Sequence, residues 1–287
     1  MAAKTGLCQF LDWGASTTIA SSMGKVTGGS ITYDSAVTHR EGIGAQDDMV
    51  GGPIPLGGSA DIILQNEALV AYALRSAYTC PSLTEFCVAG GEFADARKQT
   101  GCKVNTLGLS CSIGEPLTAS FEWMATGDAA YSTAAQAYDT EYTWEWFTAT
   151  ASVAANAALE VQSFEISLNN NCEQIWTLDT ATGDQKRWPD YIKVGSQEVT
   201  VSVEALVMQH ATTPAAVIQD TLATDLTCVF TFLGGTSGTD TMTITTSNLA
   251  RATAGVPWTV GGSLVAYPYT FEAKKDASSL TVSVAAA

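Results

Sequence analysis

The chain has 287 residues, room for one large β domain or two small ones with a core that needs no disulfide support. A hydrophobic share of 46% beside 15% charged residues is high for a water-soluble monomer, yet no apolar run approaches the roughly 20 residues that cross a bilayer. A formal net charge of −16 argues against a general nucleic-acid binder, because affinity for phosphate backbones comes largely from Lys and Arg.

In chain order, MAAKTGLCQFLDWG is too mixed for a secretory leader, and residues 1–29 read as an N-terminal arm. Residues 30–64 read as strand, Gly-rich excursion, strand. QNEALVAYALRSA follows, with Leu69, Tyr72, Ala73 and Ser76 at helical spacing. In residues 101–128, Leu107, Leu109, Cys111 and Ile113 alternate with Gly108, Ser110 and Ser112. After a Gly114-Glu115-Pro116 turn, Leu117, Ala119, Phe121 and Trp123 alternate with Thr118, Ser120 and Glu122. That period of two predicts a hairpin with one apolar and one small-polar face. Residues 129–160, rich in Ala, Thr, Tyr and Trp, read as an outer loop or a subunit-contacting arm.

The second part repeats the order of the first. SFEISLNNN and GSQEVTVSVEAL make a strand pair around the loop TLDTATGDQKRWPDYI, residues 213–224 make a short helix opened by Pro214, and DLTCVFTFLGG with TDTMTITTSNLA makes a hairpin. The end of the chain adds a Pro-Trp turn and one or two closing strands. The expected organisation is therefore mainly β, with two pseudo-repeated halves at 30–128 and 161–287, each carrying a short helix. The match lies in element order, with little residue identity.

The paired hairpins, with SFEISLNNN entering the second, resemble the tail tube proteins of long-tailed phages. The resemblance covers most of the chain. It implies a tube-like β-sandwich or barrel whose strands join the inner β-barrel of a hexameric ring, and rings stacked into the channel that delivers viral DNA. It implies a virion protein made in the host cytoplasm, with other copies of itself, the tape measure protein and tail terminator or baseplate proteins as partners. DNA would pass without specific binding, which an acidic wall favours. No membrane, cofactor or enzymatic role is implied. Lumen-facing candidates are Glu165, Ser167 and Asn169 on one strand and Glu198, Thr200, Ser202 and Glu204 on another, with Phe164, Ile166, Leu168, Val199, Val201 and Val203 packing inward. Whether the 101–128 hairpin shares that face is left open. The loop 38–55 and the N-terminal segment are expected to mediate stacking. A trimeric baseplate hub or distal tail protein, a tail terminator, and a monomeric carbohydrate-binding β-sandwich are the alternatives.

Other chemistry finds little support. No G-x-S-x-G elbow is present, and His39 lies in THREGIG beside Arg40 and Glu41 as a surface group would. Asp47 and Asp48 are adjacent carboxylates without further spaced ligands, so no metal site is expected. GGPIPLGG lacks the GK[ST] of a phosphate loop. Trp144, Trp146 and Phe147 suit a core or interface better than a glycan platform, and Asn169, Asn170 and Asn171 read as a strand end or turn. The seven cysteines lack metal-ligand spacing. Cys80 with Cys87 and Cys102 with Cys111 are the candidate disulfides, formed once a virion leaves the reducing cell.

Overall fold

The computed structural model describes residues 9–15, 17–33, 37–40, 48–75, 82–92, 96–131, 142–153, 160–178, 187–206, 226–235, 238–254, 266–273 and 280–285. In chain order the strands are β1 (Gln9–Ala15), β2 (Ser21–Ser22), β3 (Lys25–Tyr33), β4 (Val37–Arg40), β5 (Asp48–Gly51) and β6 (Leu56–Ile63). After the single turn α1 (Ala68–Ala71) come β7 (Phe86–Glu92), β8 (Arg97–Ser112), β9 (Thr118–Met124) and β10 (Gly127–Ala130). A 3-10 turn at Trp146–Thr148 leads to β11 (Thr150–Val153), β12 (Glu160–Asn169), β13 (Glu173–Ile175), β14 (Tyr191–Lys193) and β15 (Glu198–Leu206). The last strands are β16 (Leu226–Gly234), β17 (Asp240–Ala254), β18 (Ala266–Ala273) and β19 (Leu280–Ala285).

Fifteen strands hydrogen-bond into one antiparallel network, while β4–β5 and β13–β14 stand apart as two-stranded ribbons. The network folds over itself because its longest strands serve two layers. The first residues of β8 pair with β7 and β10, and its last residues pair with β9 and β12. One layer therefore runs β3-β6-β9-β8-β12-β15-β18-β17, and the other is built on β1-β7 and β11-β16. Phe164 of β12 lies against Phe230 and Phe232 of β16, with centroids 4.0 and 6.0 Å away, although those strands are not paired. In the first half Tyr72, after α1, packs on Trp13 of β1 and Phe86 of β7, with centroids 5.3 and 5.4 Å away. One core cluster runs through both halves.

The halves match strand for strand, each as two layers. In the first, β3-β6-β9-β8-β7-β1 are neighbours in that order; in the second, β12-β15-β18-β17-β16-β11 are. The β4–β5 ribbon interrupts β3 and β6 as the β13–β14 ribbon interrupts β12 and β15, and β10 lies along β8 as β19 lies along β17. Three bulges stand at the same places. They fall between Val26 and Gly28 on β3 and between Val161 and Ser163 on β12, between Phe86 and Val88 on β7 and between Leu226 and Cys228 on β16, and between Val104 and Thr106 on β8 and between Arg251 and Thr253 on β17. A bulge shifts the side-chain alternation of everything beyond it, so three shared bulges fix one residue-by-residue correspondence. Ser30 then corresponds to Glu165, Ser59 to Ser202, Trp123 to Phe271 and Gln99 to Thr246.

This correspondence moves several sequence-based expectations. The hairpin of residues 101–128 is β8–β9, whose equivalent is β17–β18; DLTCVFTFLGG and TDTMTITTSNLA form β16–β17, equivalent to β7–β8, one strand earlier. Residues 9–15, expected within an arm, form β1, paired along its length with β7 and burying Leu11 and Trp13. Within 129–160, Ala129 and Ala130 end β10, Trp144 is fully buried, and β11 pairs with β16. Among the described residues, helical structure between β6 and β7 is limited to α1 and its following turn, and Ser76 of the expected helix and the helix expected at 213–224 lie outside them. Ile113, expected inside, sits in the β8–β9 turn and is 51% exposed.

Candidate functional face

The outward side of the broad layer is a continuous polar surface made by cross-strand rows. One row is Ser30–Ser59–Glu122–Thr106–Asn169–Glu198, passing through β3, β6, β9, β8, β12 and β15. The next is Gly28–Asp61–Ser120–Gly108–Ser167–Thr200–Glu272, and the third is Thr118–Ser110–Glu165–Ser202–Thr270. Ser112, Ser163 and Glu204 close it at the far end. Directly opposite side chains in an antiparallel sheet lie close enough to interact, and here small hydroxyls do so. Ser30 and Ser59 are 3.2 Å apart, Ser110 and Thr118 2.8 Å, Thr106 donates to Glu122 at 3.2 Å and Ser163 donates to Glu204 at 3.3 Å.

The alternation expected from sequence is present. Glu165, Ser167, Glu198 and Glu204 are exposed and Asn169, Thr200 and Ser202 half-buried, all on this side, while Phe164, Ile166, Leu168, Val199, Val201 and Val203 are buried beneath. The structure also answers what the sequence left open. Ser110, Ser120 and Glu122 of the β8–β9 hairpin belong to the same surface as the β12–β15 candidates, because β8 pairs directly with β12. Asp61, Glu122, Glu165, Glu198, Glu204 and Glu272 are all exposed on it. The basic residues aligned with it are Lys25, opposite Ile63 at the outer corner, and half-buried Lys103, opposite Met124 and paired with Glu85 at 3.6 Å. Such a surface excludes a polyanion from close adhesion and leaves it mobile.

What supports the face is as specific as what covers it. Asn170, read from sequence as a turn residue, is fully buried; its Nδ2 donates to the Ala73 and Val104 carbonyls at 3.0 and 3.1 Å, and its Oδ1 accepts from Gln197 at 3.0 Å. It ties the end of β12 to β8 and to the turn after α1. Asn171 then takes the left-handed backbone, φ 48°, that lets the chain leave for β13. Trp123 sits under Gly58, whose added Cβ would come within 2.4 Å of the indole ring, and donates to buried Gln99 at 2.8 Å.

The remaining sequence candidates are placed without forming a site. Cys102 and Cys111 lie on one strand, nine positions apart and therefore roughly 30 Å. A disulfide spans only about 4.4–6.8 Å between Cα atoms, so that pair is not bridged, and both thiols are free. Burial pushes them up, Cys111 to about 11, which keeps them protonated and inert. Cys87 is a free buried thiol donating to the Gly14 carbonyl at 3.4 Å; Cys80 lies outside the described residues, as do Asp47 and His210. His39 is on β4 and Asp48 on β5, and among the described residues no three acidic, histidine or cysteine side chains gather as a metal site. Trp146 and Phe147 are exposed beside an open groove of about 640 Å³ lined also by Ile113, Val161 and Phe164. Their rings stand at 90°, 6.3 Å apart, and Trp144 is inside the core, so they offer no flat platform for a sugar ring.

The described residues thus form a two-layer β unit repeated twice with an acidic, small-residue face. A family model described as phage tail tube protein matches residues 78–273, from before β7 to the end of β18. The chain belongs to this family. No curated protein matches the chain. As a tail tube protein it is a structural component of the virion that assembles with itself into a tube, and its described face and buried thiols are in keeping with a non-enzymatic role. The matched span crosses the β8–β12 junction and takes in β7–β10 of the first half and β11–β18 of the second.

Proposed function

We propose that this chain is the tail tube subunit whose copies join edge to edge into rings, that the rings stack, and that the polar face lines the channel through which viral DNA is delivered. The observation that carries this reading is the acidic face, uninterrupted across both halves and running out at sheet edges, in a member of the tail tube family. Glu165, Ser167, Asn169, Glu198, Thr200, Ser202 and Glu204 would face the lumen, joined by Asp61, Glu122 and Glu272. The β4–β5 and β13–β14 ribbons leave equivalent ends of the two halves, and the segment after β5 meets the one before β14, Ile54 donating to the Arg187 carbonyl at 2.7 Å and Arg187 to that of Gly52 at 2.9 Å. That end, within the loop 38–55, is the stacking surface. The tape measure protein and the terminator or baseplate proteins meet the tube inside and at its ends.

Resemblance to the family suggests six copies per ring. The strand-for-strand duplication favours a second count, in which three chains supply six tube units. Electron microscopy of the purified protein should show hollow stacked rings, and native mass spectrometry of single rings should give about 90 kDa for three chains of 30.0 kDa or about 180 kDa for six. Dispersed globular particles at every concentration would overturn the proposal.

A further inference from the structure

The two halves differ on the far side of the second layer, the side turned away from the core. In the first half a cross-strand row there is Asp12–Ala89–Lys98–Ala129, through β1, β7, β8 and β10. The equivalent row in the second half is Ser152–Val229–Thr245–Thr281, half-buried to exposed and without charge. The same strand framework thus stands with a serine near the surface where the first half has a buried aspartate. A short segment crosses the first half on that side. After β1 the chain doubles back as residues 17–23, TTIASSM, with Thr18 and Ala20 donating to the carbonyls of Ala15 and Trp13 at 3.2 and 3.0 Å, and Met23 to that of Leu11 at 3.1 Å. Lys98, two strands away, donates its Nζ proton to the Thr17 carbonyl. The segment passes directly over Gly14, where an added Cβ would collide with the Thr18 carbonyl, and half-buried Ile19 rests on Ala89 and Ala96. Asp12 points to the side that Gly14 faces, is 3% exposed there, and has no hydrogen-bond partner for Oδ1 among the described residues.

We infer that residues 17–23 are a strap latched by Asp12: it lifts from β1 and β7 as a unit when the carboxyl ionises and reseats when the carboxyl is neutral. The cover is light. Its apolar contact is Ile19 on a floor of alanines, so lifting it costs far less than opening the core that Leu11 and Trp13 enter from the other side of β1. Few titratable groups face the carboxyl on that side. β7 offers the Cys87 thiol, which burial keeps protonated; β8 offers Lys98, held by the strap itself; Tyr131, after β10, packs on the same alanines; and the strap carries no charge. Burial pushes the Asp12 carboxyl up to about 6. With the strap lifted the group meets water and titrates near about 3.9. The closed state is therefore fully favoured below about pH 4 and loses its advantage as the pH rises through about 6, so that the open fraction grows by about 50-fold between pH 4 and pH 7.5. Lifting unpairs the outer edge of β1 at the Leu11 and Trp13 carbonyls and uncovers the floor where Cys87 lies.

The test is native-state hydrogen exchange on the full-length free subunit at pH 4 and pH 7.5, with rates normalised to those of unstructured peptides and urea added below the unfolding transition. The amides of Thr18, Ala20 and Met23 should open about 50-fold more at pH 7.5 than at pH 4 and respond little to urea, while those of β12 and β15 exchange more slowly and follow urea steeply. Asp12→Asn should abolish the pH dependence at the strap. Strap amides that exchange only together with β12 and β15, at the same urea dependence, would overturn the strap even where overall stability still follows Asp12. Strap opening equal at the two pH values in the wild type would overturn the latch. Should Asp12→Asn fail to fold, Lys98→Ala serves in its place: losing the anchor on Thr17 should raise strap opening several-fold at both pH values and keep their ratio, and unchanged opening would refute the anchoring.

Discussion

Asp12 is the group in this fold whose titration should be felt most. It lies in β1 between β2 and β7, is 3% exposed, and its Oδ1 has no hydrogen-bond partner among the described residues. Burial pushes its carboxyl up to about 6, whereas an aspartate in an unfolded chain titrates near about 3.9. The folded state therefore holds this proton more tightly than the unfolded state. Its stabilising contribution is fully present below about pH 4 and is lost as the pH rises through about 6. The gap is worth about 2.9 kcal/mol. Asp12→Asn removes the titration but keeps the shape. Urea unfolding of the free subunit at pH 4 and pH 7.5 should show the wild type losing about 2.4 kcal/mol more than the variant between those conditions. The many other carboxylates titrate in both proteins and cancel in that comparison. Equal pH dependence, within about 0.5 kcal/mol, would refute the placement of Asp12 in a dry, unpaired site.

Three further outcomes follow from the same geometry. Asn170→Ala leaves the Ala73 and Val104 carbonyls unmet inside the core and should cost about 2–4 kcal/mol, read by urea unfolding; a cost under about 0.5 kcal/mol would mean water replaces the amide. Replacing Glu165, Glu198 and Glu204 together by Lys should leave tubes intact by microscopy while slowing DNA ejection and making it salt-dependent, and unchanged ejection kinetics would remove these residues from the channel wall. Deleting residues 1–22, which takes away β1 with buried Leu11 and Trp13, should abolish cooperative unfolding of the subunit; a stably folded truncation would show that β1 is dispensable.

The polar face is legible in the sequence because it is one side of a half-buried sheet. On β12 and β15 every second residue meets water, so the sequence alternates and the register of each strand can be read from it. β1 hides the same information. Leu11 and Trp13 are buried on one side and Asp12 on the other, so QFLDWGA shows no clean alternation and resembles an arm. Asn170 was unreadable for a different reason: its partners Ala73 and Val104 lie far away in the chain, and nothing local separates a buried staple from a turn asparagine. The duplication is visible as an order of elements, but its alignment depends on where bulges fall, and a phase shift in the alternation does not by itself say which partner strand carries the extra residue. That is why the hairpins were matched one strand out of step.

The same correspondence shows how differently the two sides of the broad layer are constrained. Beneath it, the halves fill one backbone with traded volumes. Gly29, Leu11 and Gly90 in the first stand where Phe164, Ala151 and Phe230 stand in the second, and Gly58 with Trp123 stands where Val201 stands with Phe271. Even charge is exchanged: the ion pair of Arg97 with buried Asp128 occupies the places of Ile244 and Leu280, a swap that costs little when both members change together. On the outer side no volume needs conserving, and the halves diverge in charge. The first carries Asp61 and Glu122; the second carries Glu165, Glu198, Glu204 and Glu272, with Ser30 in the place of Glu165 and Met124 in that of Glu272. In the ring proposed above, this would give alternating sectors of weaker and stronger negative potential. A channel built this way has the symmetry of its copy number in charge and twice that symmetry in backbone.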